Sequence, residues 1–182
     1  MASLNVRAIG ALVAAAALAA SATVRAQASL QDKLKAAIVS KFPQFVEWPP
    51  DALDGRTSVD VCVATPDPFG SDLEELVAGE TLDNRKVSVR RVAREQDVDG
   101  CQLLVIPSGA TARRALLQRA ATQPILTIGD DARFLDEGGI VRLRLVEGRM
   151  RFDVNAAAAR RVGLRISAQL LQLAASVQGA EP

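Results

Sequence analysis

Two short apolar runs, "CQLLVIPS" (101–108) and "QPILTIGD" (123–130), most constrain what this chain can fold into. Neither alternates. A strand that is apolar at nearly every position has both faces covered, which is the condition inside a parallel sheet. Between the runs lies "TARRALLQRAA" (111–121), which reads as a helix. A strand, a helix and a second strand of the same character make a crossover unit, the connection that parallel strands need.

The rest of the chain extends this pattern. "SVDVCVA" (58–64) is a strand by its β-branched content, with Val59, Val61 and Val63 on one face. It stops at "TPDPFG", and a helix starts at Ser71, with Glu74 at capping-box spacing. "RKVSVRRV" (85–92) alternates and predicts a strand with one wet face, and "DARFLDEGG" predicts a short helical turn. "IVRLRLVEGRMRFDVN" (140–155) alternates on both sides of Glu147-Gly148 and predicts a hairpin. The closing stretch predicts two helical pieces broken near Gly163, the second placing Leu170, Leu171 and Leu173 against the core. Ahead of all this, apolar residues from Leu30 to Phe45 recur at helical spacing, and Pro43 should end or kink that helix near Phe42. The expected fold is therefore α/β. It is a single-domain sandwich with a mixed, partly parallel central sheet flanked by helices, plus a C-terminal β-hairpin and helix.

Residues 1–28 stand apart. Arg7 precedes an apolar stretch, and small residues follow at Ala26 and Ala28, the pattern of a secretory signal peptide. The expected mature domain is 29–182. Cleavage removes two of the 22 basic residues and none of the 21 acidic ones, so the net charge moves from +1 to −1. Such a chain offers no general attraction to nucleic acid. Export makes a disulfide the expectation for the two cysteines, Cys62 and Cys101.

The chemistry sought is mostly missing. Histidine is absent, which removes the usual general base and the usual metal ligand. Ser71 and Ser108 follow strand ends, yet no GxSxG elbow surrounds them. "TPDPFGS" joins a strand to a helix without the glycines of a dinucleotide loop. Asp130, Asp131, Asp136 and Glu137 cluster without EF-hand spacing and read as a solvated acidic loop. Arg142, Arg144, Arg149 and Arg151 share one hairpin face and read as solvated. The expectation is a protein that is not an enzyme, with no cofactor and no metal. A small-ligand domain, with its mouth near 66–71 and 127–131, is the rival reading.

One further feature asks for explanation. "KFPQFVEWPP" (41–50) holds Phe42, Phe45 and the single Trp48 in a chain with five Phe and no Tyr. The group either plugs the sheet edge and fixes the helix exit, or forms a dimer or partner surface, where Phe and Trp make effective anchors.

Six stretches, in order, resemble the YfiR-like periplasmic regulator family. They are "KAAIVSKFPQFVEWP" (35–49), "VCVATPDPFG" (61–70), "CQLLVIP" (101–107), "PILTIGD" (124–130), "GGIVRL" (138–143) and "GRMRFDVNAAAARRVGLRISAQLLQLA" (148–174). The resemblance implies a periplasmic homodimer that represses a membrane-anchored signalling protein. The target it implies is a diguanylate cyclase of the inner membrane, with cyclic di-GMP as the signal, and the partner it implies for relief of the repression is an outer-membrane lipoprotein. A sensor kinase or an outer-membrane receptor system is the alternative setting. The family's aromatic-Pro signature falls on Phe42, Phe45, Trp48 and Pro49. With Arg149 and Arg151 added, the three aromatics are the expected dimer or partner surface.

Overall fold

The structure is a computed structural model that describes residues 30–179; the expected signal peptide lies outside the described residues. Helix α1 (30–39) opens the described chain. It gives way to a 3-10 turn at Phe42–Phe45, with Pro43 near its start. The proline ring cannot continue an α-helical ladder, and the helix stops at residue 39, three residues before the expected end at Phe42. Strand β1 (Val46–Glu47) and a one-turn helix α2 (Pro50–Leu53) follow.

The central unit is doubly wound. Strand β2 (Ser58–Ala64) leads through α3 (Asp72–Val77) and the short β3 (Thr81–Leu82) to β4 (Arg85–Val92). A 3-10 turn at Glu95–Val98 leads to β5 (Leu103–Ile106), then α4 (Arg113–Ala120) and β6 (Leu126–Gly129). The hairpin β7 (Val141–Val146) and β8 (Arg149–Asn155) comes next. Its turn residues Glu147 and Gly148 both have positive φ, as a tight two-residue hairpin turn needs. Helix α5 (Ala156–Arg161), strand β9 (Arg165–Ile166), helix α6 (Ala168–Leu173) and strand β10 (Ser176–Gln178) complete the chain.

Eight strands form one sheet in the order β10-β8-β7-β6-β5-β2-β4-β3. The run β7-β6-β5-β2-β4 is parallel, and the pairs β8–β7 and β4–β3 are antiparallel. The sheet alternation sorts the core into two layers. Val61, Val63, Leu103, Val105, Leu126, Ile128, Val141 and Leu143 face one way, under α1, α3, α5 and α6. Cys62, Ala64, Leu104 and Ile106 face the other, under α4. Helices on both faces explain why the β5 and β6 sequences are apolar throughout.

Three expectations need correcting. Ser71 does not close a capping box: its backbone is already helical, and its hydroxyl donates to Glu75 Oε1 at 3.0 Å. An N-cap needs an extended backbone so that its side chain can meet the amides of the first turn. Leu173 is 60 % exposed, because α6 is too short to turn more than Leu170 fully inward. The second C-terminal piece is also not wholly helical. After Ala174 the chain becomes β10, parallel to β8 through Ser176↔Asp153.

Candidate interaction surface

The hairpin carries four arginines at alternating positions. Arg142, Arg144, Arg149 and Arg151 do lie on one face, with Arg144 directly opposite Arg151 and Arg142 opposite Asp153. They are not uniformly solvated. Asp153 is fully buried and accepts from Arg142 Nη2 at 2.6 Å, Arg144 Nε at 2.7 Å and Ser176 Oγ at 2.8 Å. Burial alone would push its carboxyl up. The hydrogen bonds from Arg144, Arg142 and Ser176 outweigh burial and hold the carboxyl at about 2. So Arg142 and Arg144 serve an internal anion, while Arg149 and Arg151 are exposed and reach no carboxylate among the described residues. The sequence reading missed Asp153. Its one visible sign was an acid alternating in phase with the arginines.

The aromatic group divides. Phe42 is 2 % exposed and meets Phe152 edge to face, with ring centroids 5.5 Å apart. It is therefore core and presents no surface. Phe45 and Trp48 are half-buried against the same core layer. The backbone around them is tied down as well. Ser167 N donates to Phe45 O at 2.9 Å, and Val46↔Ile166 and Glu47↔Arg165 pair as a small antiparallel ladder. Pro49 packs beside Gly163, whose positive φ turns the chain between α5 and β9. The geometry of this segment is that of a strap from α1 to the C-terminal helices.

Cys62 and Cys101 are bonded, with Cα atoms 5.9 Å apart. Cys62 lies in β2, and Cys101 precedes β5, its parallel neighbour. Both are buried in the α4-side layer.

The carboxyl ends of the parallel strands form the place where a doubly wound sheet receives a ligand. The order β4-β2-β5-β6 reverses between β2 and β5, and a crevice lies close to that point. Pro68 and Phe69, Pro107, and Gly129 and Asp130 line it, from the ends of β2, β5 and β6. Lys35 of α1 closes it, with Nζ 2.5 Å from Asp130 Oδ2, while Ser108 N donates to Asp130 Oδ1 at 2.7 Å. The free volume is about 10 Å³, roughly one water's room.

The acidic loop is also occupied by cations of the chain itself. Arg113 holds Glu137 at 2.9 Å and Asp131 at 2.5 Å, and Asp136 stands apart. Among the described residues no three acidic, histidine or cysteine side chains come together as a metal would need. No described helix is long and apolar enough to cross a membrane.

A family described as YfiR/HmsC-like matches residues 32–175. A solved protein from Vibrio cholerae O1 biovar El Tor, described as a conserved domain protein, is similar at 15 % identity and a TM-score of 0.48 over 70 % of this chain. The chain spans 56 % of that protein's length. No curated protein matches.

Proposed function

The chain belongs to the YfiR/HmsC-like family, a family of periplasmic regulators, and from that membership we propose a non-enzymatic repressor of a membrane-anchored signalling protein. The target in this reading is the periplasmic part of an inner-membrane diguanylate cyclase. The observation that carries it is the family match over residues 32–175. The exported regulator binds as a homodimer, and an outer-membrane lipoprotein competes for it.

A repressor acts only through differential affinity. Holding a cyclase 99:1 inactive, from a 1:99 start, takes about 5.5 kcal/mol. Two linked contacts of a dimer on a dimeric target help to supply it. Exposed Arg149 and Arg151 and half-buried Phe45 and Trp48 are available for such contacts. The test is cellular cyclic di-GMP after deletion of the gene, together with periplasmic crosslinking. Raised cyclic di-GMP and a crosslinked cyclase support the reading. Unchanged levels with no cyclase recovered remove it, and recovery of a sensor kinase or receptor instead moves the regulator to that system.

A small-ligand module is the second reading, at the crevice under Lys35 near the point where the strand order reverses. With about one water's room, that crevice takes a metabolite only if the Lys35–Asp130 pair opens. A metabolite that raises the melting temperature through mass action, and fails to do so in Asp130→Asn, would favour it.

A further inference from the structure

The hairpin outgrows its sheet. On the β7 side, the β6 ladder ends at Gly129↔Arg142; on the β8 side, the β10 ladder begins at Asp153. On β8 the Phe152 carbonyl still accepts from Ala175 N at 2.8 Å, so residues 143–151 form a two-stranded arm that lies beyond both neighbouring ladders of the described residues. An isolated hairpin is marginal in water, so the arm relies on one face for support. Leu143 and Phe152 supply it, Phe152 against Phe42. Toward the tip that support fades: Leu145 is 44 % exposed, opposite the half-buried Met150.

The other face is cationic. Residues 141–155 hold four arginines against Glu147 and Asp153, in a chain whose overall charge is near zero. Arg144 and Arg151 are direct cross-strand partners, an arrangement that costs stability unless each charge finds an acid. Arg144 has Asp153. Arg151 and Arg149 have none among the described residues.

We propose that this arm is the contact surface for the regulator's target, and that the target presents an acidic, extended segment to it. The inference rests on the regulator reading above. Carboxylates of the segment pair with Arg149 and Arg151, an apolar residue covers Leu145, and its main chain extends one of the arm's uncovered edges. Strand addition of this kind draws affinity from main-chain hydrogen bonds and specificity from alternate side chains. A lipid surface supplies anions but no strand, and so leaves the edges unpaired.

The test places a photo-crosslinking amino acid at Leu145, at Arg151 and, as a remote control, at Asp83 in the turn between β3 and β4, each in the full chain in its native periplasm. The expected result is one partner captured from positions 145 and 151 through a peptide rich in Asp and Glu, and not from 83. In Arg149→Glu/Arg151→Glu, capture from 145 should fall at least tenfold with an unchanged melting curve, and Glu→Arg changes in the captured peptide should restore it. Arg149→Gln/Arg151→Gln, an uncharged control, should lie between the two. Capture from 83 alone overturns the arm and leaves the regulator standing. Capture of a second copy of this chain makes the arm a dimer contact instead. Binding of the purified chain to phosphatidylglycerol vesicles through Arg149 and Arg151 makes it a lipid contact. Self-association of the Gln variant with full capture makes the arginines edge protection only. No capture from any position, with cyclic di-GMP unchanged on deletion, overturns both readings.

Discussion

Arg144 and Asp153 meet diagonally across the hairpin, Nε to Oδ2 at 2.7 Å, and Ser176 reaches the same carboxylate from β10. Three strands thus share one buried anion. Because its folded pKa of about 2 lies below the ordinary 3.8, the unfolded chain takes up the proton first as pH falls. The contribution is full above about pH 4 and disappears as pH drops through about 2. It amounts to at most about 2 kcal/mol. Urea unfolding at pH 7, 4 and 2.5 should therefore show a larger acid loss in the wild type than in Asp153→Asn. Equal losses would mean that Asp153 is not the linked group. At pH 7, Asp153→Ala should cost about 3 kcal/mol, because it takes from Arg142 and Arg144 the carboxylate they share.

The Cys62–Cys101 bridge closes a sequence separation of 39 residues. The chain-entropy account assigns such a loop about 4 kcal/mol, a large share of a typical 5–15 kcal/mol. Cys62→Ala/Cys101→Ala should unfold at a clearly lower urea concentration than the oxidised wild type. The wild type in strong reductant should fall to nearly the same midpoint. A reductant effect that survives in the double variant would show that something other than this bond is being titrated.

Phe134 is fully buried and lies between two glycines. A Cβ on Gly129 would come within 2.3 Å of a Phe134 ring carbon, and one on Gly139 within 2.2 Å, both far inside van der Waals contact. Gly129→Ala and Gly139→Ala should each cost about 1–3 kcal/mol by overpacking. Phe134→Leu should itself destabilise, yet soften the penalty of either alanine in the double variant. Strict additivity in calorimetric melting would show that the ring is not what excludes the methyl group.

How far the fold was legible follows from where its signals lie. β5 and β6 were readable because a strand covered on both faces is apolar throughout, and Leu103–Ile106 and Leu126–Gly129 show it directly. The hairpin was readable from alternation and from Glu147-Gly148. β10 was not: "SVQ" follows a leucine-rich helix, and three residues carry too little periodicity to announce a change of structure. Its place was fixed by a non-local fact, the ladder to Asp153. The candidate surface divides the same way. Phe42 and Trp48 look alike in sequence, but only the tertiary fold puts one against Phe152 and the other at half-burial. Arg142 and Arg149 also look alike, and cross-strand register alone gives one an acid and leaves the other without.

Lys35 was invisible in the sequence, an ordinary lysine on a predicted helix, yet it joins α1 to the carboxyl end of the sheet. Its ammonium lies 2.5 Å from Asp130 and 3.7 Å from Asp32, and Asp130 also receives the Ser108 amide. Lys35 and Asp130 are each only about one-fifth exposed, so solvent screens their attraction less than it would at the surface. Lys35→Met should cost about 1–2 kcal/mol. Asp130→Ala should cost about the same 1–2 kcal/mol, because the exposed Ser108 N–H that it also releases turns to water. The double variant should cost less than the sum, by about 1 kcal/mol, since each single change already breaks the same contact. Hydrogen exchange supplies the structural half of the test: α1 amides should lose protection in both single variants while β5 and β6 amides keep theirs. Full additivity, with α1 protection unchanged, would show that the helix is held by Ala36 and Val39 alone and that the ion pair merely accompanies it.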